Sequence, residues 1–181
     1  MKTEERLAEA LKKLMATVAL DDISVMRLSQ MCGINRQSFY YHFRNTYDLL
    51  TWVFLNEKIP NLEGEKDYSN TLGHVFNYVE NNYNLIQNTA QSAGKDLLIE
   101  FFFNTFYNVE MRHINELDTK QIMTVEDKKF IASFYGSAFA NMILLWLRDP
   151  NQEESSVIIE RAKKYFPNYL DQIIRKEANH D

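Results

Sequence analysis

The sequence predicts an all-α fold: an N-terminal three-helix helix-turn-helix domain followed by a larger helical domain. Apolar residues recur at helical spacing along nearly the whole chain, and no run alternates with period two for long. The composition, 45% hydrophobic and 25% charged with five Gly and three Pro in 181 residues, is that of a globular protein rather than a disordered or fibrous one. Charge is unevenly spread. Residues 1–58 sum to +1 and the rest to −6, and the stretch from Ile23 to Tyr47 holds three Arg and no acid. A net charge of −5 argues against a protein that coats nucleic acid over its whole surface, but it leaves room for one small basic face.

Each element follows from its residues. Leu7, Leu11, Leu14, Met15 and Val18 form one stripe of a first helix that ends near Ala19. After a short connection at Asp21, Asp22 and Ile23, Ser24 is an N-cap for a second helix with Val25, Leu28 and Cys32 on its apolar side. Gly33 supplies the left-handed conformation that ends it. A third, short helix runs from about Asn35 to Tyr41, and a fourth begins near Thr46 and Asp48 and carries Leu49, Leu50, Val53 and Phe54. Pro60, Asn61 and Gly64 mark a boundary, giving domains 1–58 and 59–181. The second domain holds 17 of the 24 aromatic residues. Its helices are expected from Tyr68 to about Ile86, Lys95 to about Asn115, Val125 to Arg148, and Glu153 to about Lys176. Pro150 separates the last two, and Pro167 is expected to kink the final one or start a new turn there.

Three short helices with a tight turn between the second and third are the arrangement in which the third helix enters the DNA major groove. Ser29 is small where the helix pair approaches, and Ile34 and Phe39 are apolar pegs that fix its angle. With only about two turns, the third helix must project Asn35, Arg36, Gln37 and Tyr41 outward. Arg pairs with guanine, Asn or Gln with adenine, and an aromatic face meets a thymine methyl.

Residues 24–50, SVMRLSQMCGINRQSFYYHFRNTYDLL, resemble the DNA-binding signature of the TetR family of bacterial transcription regulators. Ser29, Cys32, Gly33 and Ile34 match the family's small-x-x-Ala-Gly-Val-like turn. Tyr40, His42 and Phe43 match its Tyr-x-His-Phe-like segment, and Asp48, Leu49 and Leu50 its Leu-bearing fourth helix. The resemblance implies DNA contacts at Arg27, Asn35, Arg36, Gln37, Tyr40, Tyr41 and His42. Two positions depart from the pattern: Thr46 replaces a recurrent Lys, keeping a hydroxyl for a phosphate without the charge, and Gln37 replaces a common Gly, adding a side chain for a base. Plainer roles stand beside these. Arg27 and Arg44 read equally as solvated charges, His42 as a packed ring, Tyr40 as core with an exposed hydroxyl, and Cys32 as a buried, inert thiol.

The same resemblance implies a second domain that binds a signal and dimerises through its last two long helices. Phe134, Ala138, Asn141 and Leu145, with Ile158, Ala162 and Tyr165, give the matching stripes of a four-helix bundle, or else intramolecular core. Phe76, Phe102, Phe106, Tyr135 and Phe139 are candidates for an effector pocket, or again core. The layout is also similar to the subgroup containing the dihydroxyacetone kinase operon activator, in which a partner protein delivers the signal. The expected partners are double-stranded DNA carrying a near-palindromic operator, a second copy of the chain, and a small-molecule or protein effector. Repression is the family's commoner outcome, with activation, or a helical adaptor without DNA binding, as alternatives.

Other classes are expected to be absent. The longest apolar window, Phe139–Leu147, falls well short of the ~18 residues of a membrane span. The N-terminal MKTEERLAEALKK has no apolar signal core, and the lone Cys32 fits a reducing cytoplasm. His74, His113 and His180 lack ligand spacing, so no metal or cofactor is expected. No nucleophile-bearing turn or glycine-rich phosphate loop supports an enzyme, although His42 with Asp48 could in principle exchange protons.

Overall fold

The computed structural model describes residues 2–65, 68–149, 151–166 and 169–177. Pro150, Pro167 and His180 therefore lie outside the described residues. Every regular element among those residues is helical: α1 (Thr3–Met15), a 3-10 turn (Leu20–Asp22), α2 (Val25–Met31), α3 (Arg36–His42), α4 (Thr46–Asn56), α5 (Tyr68–Asn81), α6 (Tyr83–Ala90), α7 (Lys95–Leu117), α8 (Val125–Arg148), α9 (Ser155–Tyr165) and α10 (Tyr169–Glu177).

Two compact units result. The first is Met1–Lys58 together with Val79–Phe101, and the second is Ile59–Tyr78 together with Phe102–Asp181. The sequence boundary at residues 58 and 59 is thus the first of three crossings. Pro60, Asn61 and Gly64 mark that place in the sequence, whereas the later crossings fall inside α5 and α7.

In the first unit, Leu7, Leu11, Leu14 and Met15 of α1 are buried, as are Leu28, Phe39, Phe43, Leu49, Leu50 and Phe54. Segment 79–101 is built into this core. A Cβ on Gly94 would approach Leu50 to 2.8 Å, and the Phe54 and Phe101 ring centroids lie 5.2 Å apart. Asn82 (φ −118°, ψ 25°) breaks the single helix expected from Tyr68 to Ile86, and α6 then continues to Ala90. Asn81 and Asn82 offer the backbone side-chain partners that compete with a helix, whereas the apolar spacing runs on across the break. Likewise α1 stops at Met15, four residues short of expectation.

The second unit packs α7 against α8. Gly136 of α8 sits so close to α7 that a Cβ there would lie 3.2 Å from the Tyr107 backbone nitrogen. Phe102, Phe106, Phe139, Ile143 and Leu144 are buried. The turn between these helices is held by buried Asp118, which accepts hydrogen bonds from the Ile122 and Met123 amides at 2.9 and 3.3 Å and pairs with Lys128 at 2.8 Å. By length and composition α8 is apolar enough to cross a membrane, because its charges lie at its two ends and residues 130–147 between them carry none. Its buried side, from Ala132 through Gly136, Phe139 and Ala140 to Leu147, makes it the core helix of this unit.

Candidate nucleic-acid interface

The turn before α3 is fixed by backbone chemistry. Ser24 Oγ accepts the Arg27 amide at 3.2 Å and starts α2. At the other end Gly33 takes φ +61°, its amide donates to Gln30 O at 3.1 Å, and the Ile34 amide donates to Ser29 O at 3.0 Å. Those two bonds close a Schellman motif, which needs a residue free of a Cβ penalty at positive φ. The Arg6 guanidinium donates to Cys32 O, so a cation from α1 sits on the carbonyl end of α2. Cys32 is buried and its thiol donates to Arg6 O at 3.4 Å. Burial pushes the thiol pKa up while Arg6 pulls it down, leaving it higher than usual. That is the inert thiol of the plainer reading.

The α3 helix presents Arg36, Gln37, Tyr40 and Tyr41 as exposed side chains, Tyr41 at 86%. The Arg36 guanidinium lies 6.0 Å from the centroid of the Tyr40 ring, with 3.5 Å between its Nη2 and the Tyr40 hydroxyl. Arg27 on α2 is exposed as well, and so is Arg44. Three expected contacts have other engagements. Asn35 is the N-cap of α3, its Oδ1 accepting the Ser38 amide at 2.7 Å and the Ser38 hydroxyl at 3.0 Å. That acceptor is committed to the start of the helix, whereas the neighbouring Gln37 side chain is exposed. The Thr46 hydroxyl donates to Ile23 O at 3.3 Å, and Asn45 caps α4. A hydroxyl has one proton to give, and here it goes to the connection that precedes α2. His42 Nδ1 lies 3.1 Å from Glu4 Oε1, tying the end of α3 to α1.

In the second unit, Phe130, Phe134, Ser137, Ala138, Asn141 and Leu145 form one exposed face of α8, Phe134 at 61%. Tyr165 of α9 is exposed, and Ile158 is half-buried. Ala162, expected on the same outward stripe, is instead buried within the chain at 6% exposure, because α9 lays it against α8. An apolar groove runs between these helices, lined among others by Met142, Leu145, Trp146, Ile158 and Phe166. Of the aromatic residues proposed for a pocket, Phe76, Phe102, Phe106 and Phe139 are buried, Phe76 against the Trp146 ring at 5.1 Å and Phe106 against Phe139 at 5.5 Å. Phe139 also lines the groove between α8 and α9. Tyr135 is half-buried beside Tyr169, their ring centroids 4.2 Å apart.

Two polar residues escaped sequence reasoning. Glu110 of α7 is 1% exposed and accepts the Tyr169 hydroxyl at 2.5 Å, while its second oxygen is buried without a partner among the described residues. Burial pushes this carboxyl up to about 7, with the Tyr169 bond opposing. Asn88 of α6 bonds to three backbone groups far away in sequence. Both are single polar residues whose partners lie 59 to 73 positions distant, so no local pattern announces them.

A TetR family model described as the transcriptional regulator C-terminal region matches residues 66–168, more than half of the chain. With the helix-turn-helix at its N-terminal end, the chain belongs to the TetR family of transcriptional regulators. Among curated proteins it is 30% identical over 115 residues to the HTH-type dhaKLM operon transcriptional activator DhaS of Lactococcus lactis, an alignment spanning 62% of this chain and 58% of that one. The chain thus matches somewhat over half the length of that relative. Among solved structures, the dihydroxyacetone kinase operon activator DhaS superimposes with a TM-score of 0.65 at 24% identity, covering 96% of both chains. NalD, the secondary repressor of the MexAB-OprM efflux pump in Pseudomonas aeruginosa, gives 0.60 at 16% identity over 90% of this chain and 93% of its own. At these identities the two structures speak for the fold alone.

Proposed function

We propose that the chain is a homodimeric, sequence-specific DNA-binding regulator acting on double-stranded DNA in the cytoplasm and carrying no catalysis of its own. The observation that carries this is the acid-free α2–α3 pair, whose Schellman turn is rigid and whose short second helix exposes Arg36, Gln37, Tyr40 and Tyr41 together. Two copies joined along the exposed α8 face and α9 would set two α3 helices into successive major grooves, about 34–36 Å apart, on a near-palindrome. A small-molecule or protein effector would act by favouring a conformation with a different separation between the two α3 helices, weakening operator binding by the same coupling energy.

Occlusion of a promoter by such a dimer gives repression, the family's commoner outcome. The relative from Lactococcus lactis is named an operon activator, and that name supports activation as a second reading. Selection of duplexes from a random pool by the full chain tests the proposal. The expected result is one enriched near-palindromic site, and a pool with no enriched sequence would overturn it. Transcription in vitro from a promoter carrying that site then separates the two signs.

A further inference from the structure

We infer that Asn88 is a positioning residue for DNA reading: its side chain fixes where α1 ends and so aims α2 and α3. This rests on the regulator reading above. The last turn of a helix leaves carbonyl groups without intrahelical partners, and the chain from Met15 to Ser24 must satisfy its own backbone while turning into α2. Leu14 O takes the Thr17 and Val18 amides at 3.0 and 2.9 Å. The remaining carbonyls of Met15 and Val18 both receive Asn88 Nδ2, at 3.1 and 2.5 Å, and the Leu20 amide at the start of the 3-10 turn donates to Asn88 Oδ1 at 2.9 Å. One carboxamide thus serves two acceptors and one donor, a set that only Asn or Gln can match, since a carboxylate has no proton to give and an amine accepts nothing.

The same connection is fastened from its other side by α4, where Thr46 holds Ile23 O and the Tyr47 hydroxyl bonds Asp21. Between these fixings, buried Leu20 and Ile23 lock the path that leads directly into the Ser24 cap of α2. Asn88 belongs to segment 79–101, which the first unit incorporates. Without it, α1 is free to extend toward the Ala19 end that the apolar stripe itself favours, and each added residue would rotate the start of α2 by about 100°.

The test compares wild type with N88D and N88A, and with Q91A as an exposed control on the same segment, on the selected duplex and on a scrambled one. N88D keeps the acceptor for Leu20 but replaces the donor by a carboxylate facing two carbonyls. At a temperature where circular dichroism reports full folding, N88D should lose at least tenfold in the ratio of specific to scrambled binding, with scrambled binding and Q91A unchanged. Without DNA, the Leu20 amide should exchange hydrogen at least tenfold faster in N88A than in wild type, and remain protected in N88D. A folded N88D with the wild-type ratio overturns the inference, as does an unchanged Leu20 exchange rate in N88A. A wild-type chain that selects no sequence overturns the regulator reading, and this inference falls with it.

Discussion

Arg36 stands exposed near the face of Tyr40, which limits the rotamers it must give up on binding. If it grips a guanine, Arg36→Ala will cost ~1–3 kcal/mol at one base position and relax preference there; a binding-site logo identical to wild type would remove Arg36 from the reading set. Glu110 gives a prediction of a different kind. Its carboxyl is held up to about 7 in the folded chain against 4.5 for the free group. The folded state therefore binds more protons than the unfolded one between those values, and stability falls as pH rises from about 4.5 through about 7. The loss is on the order of 3 kcal/mol and is complete above that range. Glu110→Gln retains an acceptor for Tyr169 and cannot ionise, so urea denaturation at pH 8 should find it more stable than wild type, with little difference at pH 4.5. Equal pH profiles would show that water reaches the second carboxylate oxygen. At this scale the outward projection of Arg36, Gln37 and Tyr41 was legible in the sequence, and the structure exposes all three. The sequence did not show the bonds that Asn35 and Thr46 make within the chain, because the atoms that bond a base or a phosphate are also those that cap a helix or hold a loop. Only three-dimensional neighbours decide between the two uses.

Helices α2, α3 and α4 could be read from the sequence because their limits are local: Ser24, Gly33, Asn35 and Asn45 each terminate or cap through atoms two to four residues away. The break between α5 and α6 was not legible, since Val75, Val79, Leu85 and Ile86 keep helical spacing on both sides of Asn82. Gly136 illustrates a choice that local propensity gets wrong. Ala is favoured over Gly by about 1 kcal/mol inside a helix, yet a Cβ here would press on the backbone of Tyr107 and Phe103. A helix backbone yields less easily than a side-chain tip, and overpacking of this kind costs about 1–3 kcal/mol. Gly136→Ala should therefore lower the melting temperature by a few degrees, and a rise on thermal denaturation would mean that α7 can withdraw. The small residues one step on, Ser137 and Ala138, face outward, so α8 presents close-approach surfaces on two sides.

For the whole molecule, the exposed apolar face of α8 sets the expected assembly. Phe130, Phe134 and Leu145 are more than half exposed in the single chain, on a helix whose opposite side is already core. A second copy laid across Ala138 would cover them. Ala138→Glu would bury a charge without a partner at that crossing, a penalty of several kcal/mol, and sedimentation should find monomers; a stable dimer would move the interface elsewhere. Net charge belongs to this scale too. The figure of −5 sums an acid-free segment from Ile23 to Tyr47 and an acidic remainder, a pattern that would restrain indiscriminate adhesion to DNA while leaving the proposed reading face basic. Finally, the first unit draws on residues 1–58 and 79–101, so the N-terminal helices are not an exchangeable cassette. A fragment cut at Lys58 would uncover Leu50 and Phe54, against which Gly94 and Phe101 pack, and would lose the Asn88 carboxamide. Grafting this first unit onto another body demands two further junctions, one within α5 and one within α7. Recombination at a single point would therefore shuffle such regulators poorly, and new specificities would arise more readily by substitution within α3 than by trading domains.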